Sequence, residues 1–111
     1  MLQMARRRIR RAGVANVSFV QASATELPFS SDAFDVAFLV TVLGEVPDPR
    51  ACINSISNSL RVGGTLSITE LPGDPDAMTE SEVAALAISE GLELGESFPT
   101  RGGFTANFRK P

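Results

Sequence analysis

Apolar residues near the start of the chain recur at helical spacing. Leu2, Ala5, Ile9 and Ala12 lie three or four positions apart, so they form one stripe along a helix. We expect this stripe to be buried, with the intervening arginines facing water. Gly13 follows directly and predicts the end of the helix, because glycine adopts a left-handed backbone conformation without strain.

The pattern then changes to one that is typical of strands. Residues 17–21 predict a strand, and the polar residues 22–33 predict a loop. Residues 36–40 form an uninterrupted apolar run. Because apolar and polar residues do not alternate in this run, we expect a strand that is buried on both faces of a parallel sheet.

A second helix is predicted after this strand. Asp48 is suited to cap its N-terminus, and Pro49 fits its first turn. Ile53, Ile56 and Leu60 recur at helical spacing and predict the side of the helix that faces the core.

Glycines and a capping motif mark the borders of the next two elements. Residues 61–64, Arg-Val-Gly-Gly, predict the end of the second helix, and residues 65–71 alternate as a strand does. Thr79 and Glu82 then form a capping-box motif, which predicts a third helix that ends near Gly91.

The end of the chain predicts a β-hairpin. Residues 92–98 and 104–109 have strand character, and the segment 99–103 between them is rich in turn residues. The second arm alternates, and we expect its apolar residues to face a helix and its polar residues to face water. The apolar set is Phe104, Ala106 and Phe108, and the polar set is Thr105, Asn107 and Arg109.

Together these elements predict an α/β fold with a parallel sheet at first and an antiparallel hairpin at the end. A chain of 111 residues suits one domain spanning residues 1–111. No apolar run approaches the ~20 residues of a membrane-spanning helix, and no secretory signal precedes the first helix, so we expect a cytoplasmic protein without a membrane partner.

Two counts restrict the available chemistry. The chain contains no histidine, which excludes histidine bases, Ser/His or Cys/His pairs and histidine-ligated metals within one chain. Cys52 is the single cysteine, so no internal disulfide can form, and its place in the second helix predicts a buried apolar role.

A cluster of arginines makes the first helix basic, at Arg6, Arg7, Arg8, Arg10 and Arg11. Such a cluster is compatible with nucleic-acid binding. The chain has no Trp or Tyr to stack on bases, however, and the apolar stripe already explains the helix. We therefore expect solvated arginines and no nucleic-acid partner.

Short segments in a consistent order carry a family resemblance: Leu27-Pro28-Phe29, Phe34-Asp35-Val36, Leu43-Gly44-Glu45-Val46-Pro47-Asp48, Leu60-Arg61-Val62-Gly63-Gly64 and Phe108-Arg109-Lys110-Pro111. In this order they resemble the middle and end of class I S-adenosylmethionine (SAM) dependent methyltransferases, close to the ubiquinone and menaquinone type. The resemblance implies a partial Rossmann-like sheet. The family's strand order is 3-2-1-4-5-7-6, with an antiparallel pair at one edge.

The resemblance also implies SAM as the cofactor and a small molecule as the methyl acceptor. Ser23 stands where members usually have an aspartate facing adenine, and the backbone N–H of Ala24 would face the same ring. The resemblance further implies that the carboxyl end of strand four lines the cofactor site through Leu39, Val40 and Thr41, since ligands bind at the carboxyl ends of strands.

No catalytic residue is assigned, and we expect no metal ion. Gly44 and Glu45 stand where the family often has two histidines. Any base function at that point would therefore fall to Glu45, for which we favour the role of a solvated loop carboxylate.

By the same resemblance, the family's Gly-rich loop and the acidic residue that holds the ribose would lie upstream of Met1. The glycine pairs 63–64 and 102–103 precede strands and cannot replace a loop that opens a helix. Hydrogen bonds to charged groups contribute roughly 1.5–3 kcal/mol each, and micromolar binding amounts to only about 8 kcal/mol. We therefore expect weak SAM binding and inefficient methyl transfer by this chain alone.

Several explanations remain open for such a chain. It can belong to a longer methyltransferase, or it can associate with copies or a partner that complete the sheet. A non-catalytic methyltransferase-like interaction module is the alternative function. Because the strands at 17–21 and 36–40 would both have unpaired edges, we expect a homodimer joined through those edges.

Overall fold

A computed structural model of the protein describes residues 2–111. The elements in chain order are α1 (Leu2–Arg11), β1 (Phe34–Val40), a short 3₁₀ turn (Leu43–Glu45), α2 (Pro49–Ser59), β2 (Leu60–Glu70), α3 (Glu80–Ser89), β3 (Glu93–Thr100) and β4 (Gly103–Arg109). No helix within these residues is long and apolar enough to cross a membrane.

The four strands form one sheet in the order β1-β2-β4-β3. β1 is parallel to β2, whereas β4 is antiparallel to both of its neighbours, β2 and β3. This confirms the predicted α/β class and the terminal antiparallel hairpin. The order corresponds to 4-5-7-6 in the family's numbering, as the resemblance implied.

Both predicted helix starts are confirmed by their capping bonds. The Asp48 carboxylate accepts a hydrogen bond from the Ala51 N–H at 3.1 Å, at the start of α2. Thr79 and Glu82 form the predicted capping box before α3, with reciprocal bonds of 3.2 Å and 3.0 Å.

The core lies between the helices α2 and α3 and one face of the sheet. Because β-strand side chains alternate, Leu66 and Ile68 of β2 face the helices, and Ala106 and Phe108 of β4 lie opposite them. The buried apolar residues are Leu43, Cys52, Ile53, Ile56, Leu60, Leu66, Ile68, Val83, Ala87, Leu92, Ala106 and Phe108.

The expectation that residues 36–40 are buried on both faces is wrong. Within residues 2–111, β1 pairs only with β2. Its outward alternate residues remain exposed, with exposed fractions of 58% for Val36, 74% for Phe38 and 46% for Val40. Ala37 and Leu39, on the opposite face, pack against the core. The reason is that α2 and α3 cover only one face of the sheet.

The predicted strand at residues 17–21 does not form. The segment is irregular, and Val17 and Val20 are largely exposed. A strand needs a neighbour that satisfies its backbone hydrogen bonds. No strand of the described chain lies beside this segment, so apolar composition alone cannot order it.

The stripe of α1 is also less buried than expected. Leu2, Ala5 and Ile9 are half-buried and Ala12 is exposed, so no residue of α1 enters the core. The helix does end as predicted, since Gly13 has a φ of +71°.

The second helix ends earlier than the glycines suggest. Leu60 already begins β2, and residues 61–64 belong to that strand rather than to the helix end. Backbone bonds to the chain terminus explain the difference. The Gly63 N–H donates to the Lys110 carbonyl at 2.7 Å, and the Lys110 N–H donates to the Gly64 carbonyl at 2.9 Å.

The polar side of β4 was expected to face water. Arg109 is exposed as expected, whereas Asn107 is only partly exposed and Thr105 is buried. Thr105 is 7% exposed because threonines on both neighbouring strands cover it. Its hydroxyl lies 2.8 Å from that of Thr69 and 2.7 Å from that of Thr100. This row of hydroxyls satisfies a polar position that the alternation assigned to water.

Alanine substitutions at two phenylalanines of the hairpin should distinguish a position in the core from a largely exposed position on the outer strand. Phe108 is 1% exposed and Phe98 is 45% exposed. We expect Phe108→Ala to lower the free energy of unfolding by about 3–5 kcal/mol, because it leaves a cavity. Phe98→Ala, the matched control, should cost less than half as much in urea denaturation. Equal costs would contradict the observed core.

Candidate functional site

A cleft of about 400 Å³ opens at the carboxyl end of β1. It lies between a turn that precedes β1 and the loop that follows it. Its lining residues are Ser23, Ala24, Thr25, Val42, Glu45, Val46, Pro47 and Asp48. This is the end of an open α/β sheet at which ligands usually bind.

The turn on one side of the cleft is held by local hydrogen bonds. The Glu26 N–H donates to the Ser23 carbonyl at 3.2 Å, and the hydroxyls of Ser23 and Thr25 lie 2.9 Å apart. The turn is also tied to α2, because the Leu27 N–H donates to the Ser55 hydroxyl at 2.8 Å. The Ser23 side chain therefore has a defined place beside the cleft.

The loop on the other side begins at the end of β1. Thr41 has a φ of +55°, and its N–H donates to the Thr69 carbonyl at 2.9 Å. Of the sequence-predicted site residues, Ser23 and Ala24 line the cleft. The end of β1 leads into the cleft and contains two other predicted residues, Leu39 and Val40, followed by Thr41. Val42 is the first residue of this segment that lines the cleft.

The cleft has apolar walls with two carboxylates. Val42, Val46 and Pro47 supply the apolar surface. The carboxylate of Asp48 already caps α2, whereas that of Glu45 is exposed to solvent. Glu45 is therefore the acidic side chain of this cleft that is free to meet a ligand.

Glu70 is a buried carboxylate that the sequence reasoning did not single out. It ends β2, is 2% exposed, and neither carboxylate oxygen has a hydrogen-bond partner among the described residues. Burial raises the pKa of Glu70, and the charges of Asp74 and Glu45 raise it further. The backbone N–H groups of Met78 and Gly44 lie near the carboxylate and partly lower its pKa, although neither forms a hydrogen bond of normal geometry with it.

The surroundings of Glu70 are closely packed. A Cβ at Gly44 would overlap the carbonyl of Asp76, and a Cβ at Gly103 would overlap the carbonyl of Glu70 itself. Two loops and the hairpin turn therefore meet at the end of β2. The signal in the sequence was alternation, which places Glu70 on the same inward face as Leu66 and Ile68.

Comparisons with known proteins agree with this architecture. A family model described as a methyltransferase domain matches residues 1–97. The demethylmenaquinone methyltransferase of Clavibacter sepedonicus is 39% identical over 75 residues, which cover 68% of this chain and 30% of that protein. The ubiquinone/menaquinone biosynthesis C-methyltransferase UbiE of Proteus mirabilis is 42% identical over 71 residues, covering 63% of this chain and 28% of that protein.

Solved structures show the same fold at low sequence identity. A SAM-dependent methyltransferase from Aquifex aeolicus superimposes with a TM-score of 0.87 and 16% identity, covering 96% of this chain and 62% of that chain. The [4+2]-cyclase SpnF superimposes with a TM-score of 0.86 and 18% identity, covering 99% of this chain and 63% of that chain.

The chain belongs to the class I SAM-dependent methyltransferase family. It spans about 30% of the length of the curated relatives that it matches. The matched segment contains both loops of the cleft and the strands β1 and β2.

The raised pKa of Glu70 has a consequence for stability. Its ordinary pKa is 4.5, and the folded protein holds the proton to higher pH. The protonated Glu70 carboxyl therefore contributes to folding stability below pH 4.5, and this contribution is lost as the pH rises through the raised pKa. In metal-free buffer at pH 7, we expect Glu70→Gln to increase the free energy of unfolding, because a neutral amide is less costly to bury than a carboxylate.

Urea denaturation of wild type and variant between pH 4 and pH 8 measures this difference. Glu96→Gln, at an exposed position of β3, is the control and should leave the pH profile unchanged. A Glu70→Gln profile parallel to that of wild type would contradict the assignment of the buried charge.

Proposed function

We propose that this domain takes part in SAM-dependent methyl transfer to a small-molecule acceptor, with the cofactor's adenine end in the cleft beside Ser23 and Ala24. The observation that carries the proposal is the position of this cleft. It lies at the carboxyl end of β1 between two ordered loops, where open α/β sheets bind ligands.

The cleft residues fit the adenine part of SAM. Val42, Val46 and Pro47 offer apolar surface for the ring. Ser23 provides a neutral hydroxyl, and the Ala24 N–H makes no backbone hydrogen bond within residues 2–111. Together these groups can pair with the polar edge of adenine. Leu39, Val40 and Thr41 are proposed to shape the mouth of the same site.

The reaction requires little chemistry from the protein. SAM supplies a methyl group on a positively charged sulfur, which is a good leaving group. The role of the chain is to hold the acceptor in line with that methyl group, since orientation can account for much of the rate.

We further propose that this chain by itself binds SAM weakly and transfers methyl groups inefficiently. Gly63 and Gly64 lie inside β2, Gly102 lies in the β3–β4 turn and Gly103 begins β4, so neither pair opens a helix. The cleft therefore offers contacts to one end of the cofactor. Losing several hydrogen bonds of roughly 1.5–3 kcal/mol each removes most of the about 8 kcal/mol of a micromolar ligand.

The acceptor is proposed from the relatives. One is named as a demethylmenaquinone methyltransferase and the other as a ubiquinone/menaquinone biosynthesis C-methyltransferase. Demethylmenaquinone is therefore the first acceptor to test. A non-catalytic interaction module is less favoured, because such a module does not require the cleft between Ser23 and Val42.

Nuclear magnetic resonance titration with SAM should locate the site. We expect the amide signals of Ala24, Thr25, Val42 and Glu45 to shift, because their groups border the cleft. The signal of Arg109, at the other end of the sheet, should stay in place as an internal control. The dissociation constant should be weaker than about 10 μM.

Two outcomes of this titration would count against separate parts of the proposal. A dissociation constant tighter than about 10 μM would refute weak binding by the chain alone. Saturable shifts confined to residues outside the cleft would refute its assignment to adenine.

We also propose that the chain forms a homodimer through the free edge of β1. Val36, Phe38 and Val40 form an exposed apolar row on a strand that pairs on one side only. Such an edge is a template for pairing with another chain. Because residues 17–21 are not a strand, the proposed interface now involves β1 without that second edge.

Sedimentation equilibrium at micromolar concentration tests the homodimer. We expect wild type to sediment at twice 11.8 kDa and Val36→Lys/Phe38→Lys at 11.8 kDa, because lysines on an edge oppose pairing. Ile88→Lys, an exposed apolar position on α3, should remain dimeric. A folded wild-type species of 11.8 kDa would refute the interface.

A further inference from the structure

Three carboxylates converge beside the cleft. Glu45, Asp74 and Asp76 each offer an oxygen, and these oxygens lie within 4.8 Å of one another. Glu45 comes from the loop after β1, and the two aspartates come from the loop after β2. The cluster thus joins the loops that follow two neighbouring parallel strands.

No basic side chain balances this negative charge among residues 2–111. The ion pairs of the described chain lie elsewhere, and none includes a member of the cluster or Glu70. They are Arg50–Glu90, Arg61–Asp35, Arg109–Glu93 and Lys110–Asp32. Like charges at this separation repel one another unless a cation lies between them.

A second observation, independent of the cluster, is the buried Glu70 carboxylate. It has no hydrogen-bond partner among the described residues and lies next to the backbone of Gly44 and Met78. These two residues belong to the loops that carry the cluster, and the charges of Asp74 and Glu45 reach the Glu70 side chain. A buried negative group near the carboxylates of Asp74 and Glu45 is costly without a compensating charge.

Hydrogen bonds and a close backbone contact shape the two loops. The Asp74 carboxylate accepts a hydrogen bond from the Asp76 N–H at 2.9 Å, and the Asp74 carbonyl accepts from the Ala77 N–H at 3.1 Å. Gly44 allows the backbone of the two loops to touch, since a Cβ there would overlap the Asp76 carbonyl. The carboxylates are therefore held together by the fold.

We propose that Glu45, Asp74 and Asp76 bind a hard divalent cation, with the buried Glu70 nearby as an additional negative charge. All donors are oxygens, the chain has no histidine, and Cys52 lies in the core, which favours Ca²⁺ or Mg²⁺ over zinc or copper. Ca²⁺ fits better, because it accepts irregular geometry from several carboxylates, whereas Mg²⁺ demands a near-ideal octahedron.

This site does not depend on methyl transfer. Its ligands are contributed by the chain itself, and binding can be measured without SAM. A negative result for the cation site would not bear on the adenine cleft, and a negative result for the cleft would not bear on the cation site. This site differs from the expectation of no metal ion. Glu45 is separated from Asp74 and Asp76 by the whole of α2 and β2, so no local sequence pattern brings the three together.

Calorimetric titration of the full chain with CaCl₂ and, separately, MgCl₂ in 0.15 M KCl tests the proposal. We expect one saturable Ca²⁺ site with a dissociation constant of about 10⁻⁴ M or tighter, and weaker binding of Mg²⁺. Glu45→Gln/Asp74→Asn/Asp76→Asn should bind Ca²⁺ at least ten-fold more weakly. The amide oxygen introduced by Asp74→Asn can still accept the bond from the N–H of residue 76, so the loop should keep its shape.

Glu96→Gln, which removes an exposed charge on β3, is the matched control and should bind Ca²⁺ like wild type. The absence of a saturable signal with both cations up to 10 mM would overturn the proposal, as would equal Ca²⁺ binding by the triple variant. Equal affinities for Ca²⁺ and Mg²⁺ would overturn only the choice of Ca²⁺.

The variant Glu70→Gln tests whether the buried charge contributes to cation binding or only to the fold. We expect this variant to unfold at a higher temperature than wild type with EDTA, and to gain less from saturating Ca²⁺ than wild type gains. Its Ca²⁺ affinity should fall about three- to ten-fold, since one nearby charge is removed. An unchanged affinity would remove Glu70 from the site.

Discussion

The structure depends on the burial of one apolar face of the sheet under α2 and α3. Leu66, Ile68 and Phe108 form the sheet side of this core, and both helices cover them. On the opposite face, the side chains of Val36, Phe38 and Val40 in β1 remain exposed. The two inner strands are therefore well packed, whereas β1 keeps one edge and one apolar face free.

The same packing brings the functional loops together. Since β1 and β2 are parallel neighbours, the loops that follow them leave the sheet at the same end. The loop after β1 lines the proposed cofactor cleft and also supplies Glu45 to the acidic cluster. Gly44 lets this loop touch the one after β2, so a single close backbone contact helps shape both candidate sites.

Local patterns predicted much of the fold and part of the candidate site. The caps at Asp48 and Thr79 and the hairpin are readable because each depends on a few adjacent residues. The family resemblance pointed to Ser23 and Ala24, which do line a cleft. The sequence did not single out Glu70, because a charged residue at the end of an alternating strand is expected to be exposed to solvent.

The sequence by itself determined which segments could form helices and strands, since capping, alternation and apolar periodicity are local properties. Only the tertiary structure decided which of those segments found partners. The apolar run 36–40 became a half-covered edge strand, and residues 17–21 formed no strand, because backbone pairing requires a neighbour that sequence pattern does not reveal. The meeting of Glu45 with Asp74 and Asp76 has the same origin, because charges distant in sequence converge only when parallel strands set their loops side by side.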